Sequence, residues 1–447
     1  MVIYLKYSKF NLIVPDEKTG KIILFNTLQG HCLEIDSDTK KMVENREIEN
    51  LESGVLQLFL HHGIIIKDEI DENKIFDYFH SQEKFSTNSI NSTVLLTWAC
   101  NLKCVYCFEG SKENANNMTM ESANQYIKFI TQLALAKKSN NISINLFGGE
   151  PVVNIEIGFY ILKHIKAFCD SNKIAFTSTI ITNGTLLTEE IIDKLLEYNC
   201  RSIQITLDGI KEIHNMRRID KKGMGTFDSI IEILKLLNEK IGVLKSFNTV
   251  IRINIDKVNL KDTYTLLKFI GKDGINLTNC TVDFGIVRGL TESCAAYSNN
   301  CFVEEEIGPI LYDLWDAAER QGFFYDIRPL RRWMYCGLYG DNQYTVTPDC
   351  DVYKCWEHAG EEEHCIGKLD ENGNLTDLKY TFYDWMSHNP LNCQECSQCV
   401  YLPACGGGCG MESYSKTGSY HEPGCFKTKG VIEKQLIRYY EKNGVLK

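Results

Sequence analysis

Between Thr93 and Gln321 the chain alternates short β-branched runs with helical stretches, the pattern of parallel βα units. The runs predict strands at Thr93–Trp98, Ile142–Phe147, Ala175–Ile181, Ser202–Thr206, Asn248–Ile255 and Val282–Val287. Parallel barrels carry their chemistry at the carboxyl ends of such strands. Residues 1–90 read differently, with short strands in FNLIV, KIILF and GIIIK around SDTKKMVEN and the helical GVLQLFLHHG. This mixture predicts a small α/β domain of winged-helix type. The polar stretch DEIDENKIFDYFHSQEKFSTNSINS, with its Asn and Ser clusters, predicts a linker to the βα region. After about Met334 the segments become short and rich in Gly and Cys, which predicts sparse regular structure stabilised by metal before a final helix. The reading is three domains, at 1–90, 91–333 and 334–447.

Length supports that division, since 447 residues exceed what one core usually serves. Hydrophobic content of 44% and charged content of 24% are ordinary for a globular protein. A net charge of −11 argues against broad nucleic-acid binding, which needs a basic face. No 18-residue apolar run suggests a membrane span, and Lys6 and Lys9 interrupt the place where a signal peptide needs its apolar stretch. The expected location is the cytoplasm. There, 19 cysteines are poorly read as disulfides, because the compartment keeps thiols reduced; metal ligation is the better account.

Cys100, Cys104 and Cys107 follow the first predicted strand as C-x3-C-x2-C in TWACNLKCVYCFEG. A [4Fe–4S] cluster normally takes four cysteine ligands. Three close thiolates hold three irons and leave the fourth open to chelate a further molecule. Zinc would prefer two knuckles closing a tetrahedron, which this triplet does not supply. After the second strand comes Phe147-Gly148-Gly149-Glu150-Pro151, where two glycines permit close backbone approach to a ligand and a carboxylate can accept from an ammonium group. A structural turn is the plainer account of those residues alone. Thr182-Asn183-Gly184-Thr185 closes the third strand, Thr206-Leu207-Asp208-Gly209 the fourth, and IHNMRR follows with Arg217 and Arg218. On the fifth strand, Arg252 and Asn254 share one face, which points into the barrel.

The cysteine spacing with Tyr106, the GGEP segment and the strand-end motifs together resemble the radical S-adenosylmethionine (SAM) enzymes. The resemblance implies an open (β/α)6 partial barrel in place of a complete eight-fold one. It implies that Cys100, Cys104 and Cys107 bind a [4Fe–4S] cluster whose open iron takes the amino and carboxylate groups of SAM, and that electron transfer to SAM yields a 5′-deoxyadenosyl radical. By the same resemblance Tyr106, Gly148, Gly149, Glu150, Thr182, Asn183, Thr206, Arg218 and Asn254 contact SAM. Glu150 then holds the amino group and Arg218 pairs with the carboxylate, with neighbouring Arg217 an alternative register. An electron donor such as flavodoxin or ferredoxin is implied as well.

Toward the C-terminus stand Cys336, Cys355, then C396-x2-C399-x5-C405-x3-C409, and Cys425. Their order resembles the SPASM domain of radical SAM enzymes that modify peptides and proteins. It implies one auxiliary [4Fe–4S] cluster on Cys336, Cys355 and Cys409, and a second on Cys396, Cys399, Cys405 and Cys425. A zinc module is the alternative for these spacings. Cys350 stands where relatives often have Gly, and Cys393 precedes the knuckle; either completes a cluster or is an inert buried thiol.

The expected activity is crosslinking of a ribosomally made precursor peptide, preferably as a Cys thioether, with residues 1–90 binding its leader or serving only as a lid. Two rival enzymes are a sulfatase-maturating type that makes formylglycine and a carbon–carbon crosslinker. A non-catalytic zinc-binding interaction protein would account for the C-terminal cysteines but not for an open triplet beside GGEP.

Overall fold

The computed structural model describes residues 4–110, 115–241, 247–277, 280–325, 327 and 331–444. Six parallel strands form its centre: Ser89–Leu95, Asn141–Phe147, Ala175–Thr182, Cys200–Thr206, Asn248–Ile255 and Cys280–Ile286. They pair in chain order, each with the next, as a partial barrel. The clearest case is Asn248–Ile255, where burial alternates along the strand. Ile251, Ile253 and Ile255 enter the layer beneath the outer helices, and the intervening Arg252 and Asn254 face inward. Helices Met120–Lys137, Ile155–Asn172, Glu189–Glu197, Phe227–Ile241 and Leu260–Ile270 follow successive strands. Their apolar stripes and the strands' outward faces form one continuous core, with Tyr126, Ile161, Ile203 and Leu266 fully buried.

The first strand begins at Ser89, earlier than the predicted Thr93. Its polar start pairs with Asn141–Ile144 on one side and with Gln343–Val346 on the other. Through that second pairing the C-terminal region continues the barrel sheet, adding Gln343–Val346 in parallel and then Asp351–Tyr353, Cys365–Leu369 and Leu375–Thr376 antiparallel. The region after Met334 therefore holds more regular structure than expected, including helices Tyr380–Ser387, Gly410–Thr417 and Val431–Asn443. The sequence pattern missed it because the strands are only two to five residues long.

At the N-terminus, Asn11–Pro15, Ile22–Asn26 and His31–Ile35 make a three-stranded antiparallel meander, followed by helices Ser37–Asn45 and Ser53–His61. Leu5–Tyr7 pairs with Ile65–Lys67 to close the unit. The meander packs on the C-terminal helix: Val14, Ile23 and Phe25 share a buried cluster with Ile432, Leu436 and Tyr440. Lys21 Nζ donates to Tyr440 Oη at 2.8 Å, and Thr27 Oγ1 donates to Val400 O at 2.6 Å.

The predicted linker is instead largely a helix, Glu72–Lys84, capped by Asp71. Glu72, Phe76, His80 and Lys84 recur every four residues and are all buried. Three of the four are polar, so no apolar stripe announces them. Each has a distant partner. Glu72 accepts from Ser8 Oγ at 2.5 Å, His80 Nδ1 bonds Trp333 O at 2.6 Å, and Lys84 donates to His388 O. Phe76 completes the stripe between Phe10, Leu28, Leu402 and the Trp333 ring. Replacing Phe76 with Ala should cost about 3–5 kcal/mol, the usual range for a buried aromatic. Hydrogen exchange should then accelerate together in residues 72–84 and around Trp333; unchanged protection of either segment would show that the helix is not held by this contact.

Two histidines couple the fold to pH. Burial lowers His214 well below its usual value, and adjacent Arg218 and Arg217 lower it further. Burial also lowers His388 to about 3, with Lys84 adding to the effect. Both stay neutral when folded and take up a proton on unfolding below the ordinary value of about 6.5. Their contribution is thus present above that pH and is lost as pH falls toward the folded values. Each should steepen acid destabilisation by about 1.4 kcal/mol per pH unit. Urea midpoints measured from pH 6.5 to 5 should fall less steeply in His388→Gln than in the parent; an identical slope would exclude this source.

Candidate active site at the carboxyl ends of the strands

The first strand exits through Thr97–Ala99 into the cysteine loop, and the second exits into Gly148-Gly149-Glu150. These two exits are hydrogen-bonded: Gly149 N to Thr97 O and Glu150 N to Ala99 O, both at 2.9 Å. A Cβ on Gly148, whose φ is +136°, would sit 2.4 Å from Thr97 O. One on Gly149 would lie 2.6 Å from Ala99 O. The glycines therefore serve an approach of backbone to backbone, where the sequence pointed to approach to a ligand.

Glu150 is fully buried between these loops and the third strand. Its carboxylate accepts from Thr182 Oγ1 at 2.7 Å, Asn183 N at 2.7 Å and Val152 N at 3.0 Å. Burial still pushes its pKa up, against those hydrogen bonds and the nearby Arg218. The cysteine loop is held from its other side by Asn183, which donates to Asn101 Oδ1 at 2.8 Å, with its Nδ2 3.9 Å from Cys100 Sγ. Burial pushes Cys100 to about 11 and Cys107 to about 12, and raises Cys104 as well. Three buried thiols in mutual electrostatic reach thus disfavour ionisation in the bare protein. A bound cation reverses that balance.

Arg217 and Arg218 part company here. Arg217 is committed to the fold, donating to Asp256 Oδ2 at 2.7 Å, Tyr297 Oη at 3.0 Å and Asn254 O at 3.1 Å. Arg218 faces the cysteine loop, where its Nη1 donates to Tyr106 Oη at 2.8 Å. Among the described residues its Nε has no partner. Tyr106 in turn donates to Asp208 and accepts from Asn254 Nδ2 at 3.2 Å. Asp208 is fixed by Asn254 N at 2.9 Å, and its own N–H donates to His214 Nδ1 at 3.2 Å. His214 and Asp256 were not singled out by sequence; the IHNMRR segment was the available signal for the first.

All of Cys100, Cys104, Cys107, Tyr106, Gly148, Gly149, Glu150, Thr182, Asn183, Thr206, Arg218 and Asn254 line one cavity of about 370 Å³. Its outer wall comes from Cys294 and from residues that sequence reasoning passed over: Arg288 after the sixth strand, and Trp356 and Glu357 from the C-terminal region. Arg288 Nη2 donates to both Glu357 oxygens at 2.6 Å. Its guanidinium also lies 4.4 Å from the centre of the Phe426 ring.

The C-terminal thiols gather in two groups. Cys336 and Cys355 each lie within electrostatic reach of Cys409, and Cys355 of Cys336. Cys396 feels Cys393, Cys405 and Cys425, and Cys405 feels Cys399 as well as Cys425. Cys393 thus lies beside the second group. Cys350 turns away from both, its Sγ 3.0 Å from Gln125 Oε1 on the first barrel helix. Its φ of +65° accounts for glycine as the alternative occupant of that position. Among the described residues no helix is long and apolar enough to cross a membrane.

The model of the radical SAM superfamily matches residues 94–270, from within the first strand to the helix before the sixth. A cysteine-type anaerobic sulfatase-maturating enzyme of Clostridium novyi is 27% identical over 369 residues, covering 76% of this chain and 93% of that protein. The radical SAM cyclopropyl synthase TigE of Paramaledivibacter caminithermalis is 24% identical over 482 residues, covering 98% and 96%. Among solved structures, native anSMEcpe with bound AdoMet superposes with a TM-score of 0.57 at 21% identity, over 78% of this chain and 97% of that one. Streptococcus suis SuiB bound to precursor peptide SuiA gives 0.55 at 16% identity, over 96% and 99%. With the superfamily match lying on the strands that carry the cysteine loop and the Gly-Gly-Glu turn, the chain carries a radical SAM domain over residues 94–270 and is an enzyme dependent on a [4Fe–4S] cluster and SAM.

Proposed function

We propose that this enzyme modifies a precursor peptide, installing a crosslink in a segment delivered to the cavity at the barrel mouth. The observation that carries this reading is coverage. The sulfatase maturases align with about three quarters of the chain, whereas TigE and SuiB span nearly all of it. The N-terminal meander also suits peptide capture. It is the sheet's face that packs on the C-terminal helix, through Val14, Phe25 and Cys32, and His31–Ile35 is an edge strand of the three. An extended leader can add to such an edge through main-chain hydrogen bonds.

The cavity residues fit the group that the family requires. Three thiols supply soft ligands for iron and leave one iron unfilled. Arg218, with an unpartnered Nε, can pair with a carboxylate, and Glu150 can accept from an ammonium group. When bound, cluster and SAM supply a 5′-deoxyadenosyl radical that takes a hydrogen atom from the substrate. The protein's part is positional. Gly148 and Gly149 set the height of the cysteine loop, Asp208 and Tyr106 fix Arg218, and Trp356 with Arg288–Glu357 closes the outer wall. The two C-terminal thiol groups are placed to hold auxiliary clusters, Cys336, Cys355 and Cys409 one and Cys396, Cys399, Cys405 and Cys425 the other. Flavodoxin or ferredoxin would supply the electron.

A Cys thioether is the preferred product. Carbon–carbon bond formation is a second reading, favoured by the full-length likeness to a protein named as a cyclopropyl synthase.

Reconstituted enzyme should contain about twelve irons, four per cubane over three clusters. Replacing Cys100, Cys104 and Cys107 with Ala should remove about four of them and abolish 5′-deoxyadenosine formation; persistent SAM cleavage would refute the assignment. Cys396→Ala with Cys399→Ala should instead spare SAM cleavage more than product formation.

Precursor peptide with its leader should be turned over with kcat/KM at least about tenfold above the leaderless form, through tethering. Mass spectrometry of the product should show loss of two hydrogens. Blocked alkylation of a substrate Cys would mark a thioether, and retained alkylation a carbon–carbon bond. Equal turnover of leaderless peptide would return the meander to a structural role.

A further inference from the structure

The loop between Asp351–Tyr353 and Cys365–Leu369 brings three ligating side chains together outside the cavity. His358, Glu361 and His364 each offer a donor atom, all within 4.8 Å of one another. Both histidines are buried, at 5% and 4% exposure, and Glu361 stands at the surface end of the group. His358 Nδ1 is 2.6 Å from Glu361 Oε2, and His364 Nε2 is 3.5 Å from that same oxygen. The neighbouring Glu363 Oε1 lies 3.3 Å from His364 Nε2. These separations bracket the value of about 3.3 Å expected between two ligands held at 2.0–2.1 Å on a tetrahedral ion.

One further observation favours a metal over a closed hydrogen-bond network. His364 Nδ1 bonds Tyr420 Oη at 2.5 Å, the outer hydrogen bond that a ligating imidazole makes to fix its ring. That bond leaves Nε2 turned toward two carboxylates. The two rings meet edge to face with centroids 4.6 Å apart.

We propose that His358, Glu361 and His364 form a structural site for a divalent cation, and that zinc, the ion matched to two imidazoles and a carboxylate, occupies it. The site would pin the loop that carries Trp356 and Glu357 into the cavity wall. A fourth position is open to Glu363 or water. The inference does not rest on the peptide substrate or on the assignment of the auxiliary clusters.

Holoenzyme reconstituted with iron and sulfide, incubated with one equivalent of Zn²⁺ and desalted, should retain about one zinc per chain. Zinc-edge X-ray absorption should show only nitrogen and oxygen ligands, at about 2.0–2.1 Å. His358→Gln with Glu361→Gln should weaken zinc retention at least about tenfold at unchanged iron content. Failure of the parent to retain zinc, sulfur ligands at about 2.3 Å, or equal retention by the double variant would overturn the proposal. Should the variant fail to fold, the spectrum of the parent decides alone.

Discussion

Backbone contact between the first two strand exits governs the geometry of everything at the barrel mouth. Gly149 and Glu150 donate to Thr97 and Ala99 across a gap too narrow for any Cβ. The cysteine loop therefore starts from a surface fixed by the second strand. From there the constraint passes outward: Glu150, held by the same turn, accepts from Thr182 and Asn183, and Asn183 reaches back to Asn101 inside the cysteine loop. Three strand ends become one rigid rim. Side-chain packing alone would not do this, because rotamers relax where two hydrogen-bonded backbones cannot.

Charge is organised around that rim by a similar logic. Two adjacent arginines are both buried, which requires that each have partners. Asp256 and the carbonyl of Asn254 absorb Arg217, while Asp208 reaches Arg218 only through the Tyr106 hydroxyl. The indirect route leaves Arg218 with donor capacity toward the cavity. His214, kept neutral by burial and by both arginines, accepts the Asp208 N–H and so fixes the carboxylate from behind.

Sequence reasoning located the six barrel strands because β-branched runs and alternation record burial directly, as in Asn248–Ile255. The cysteine triplet and the strand-end motifs were legible for another reason: their spacing is chemical, and Cys100, Cys104, Cys107, Glu150, Thr182, Asn183, Thr206 and Arg218 line a single cavity. Helix Glu72–Lys84 was lost because its buried stripe is mostly polar and its partners lie far along the chain, at Ser8, Trp333 and His388. Trp356 and Glu357 were lost likewise, because nothing local marks a loop residue as the wall of a cavity built by barrel strands that end at Ile286.

The sheet's continuation past the barrel gives those loop residues their meaning. Gln343–Val346 extends the first strand's hydrogen bonding in register, so the C-terminal region is attached to the element that launches the cysteine loop. The hairpin beyond it places Cys355, Trp356 and Glu357 in one short stretch, the thiol among Cys336 and Cys409 and the other two at the cavity. Arg288, arriving from the opposite edge of the same sheet, donates from Nη2 to both oxygens of Glu357 and approaches Cys409 Sγ with Nη1 at 3.7 Å. A charge-assisted bidentate pair of this kind fixes orientation as well as distance. The partial barrel is thereby closed across its open side by a bond between its last strand and the loop attached to its first. Arg288 thus touches both the first C-terminal thiol group, at Cys409, and the cavity wall, at Glu357.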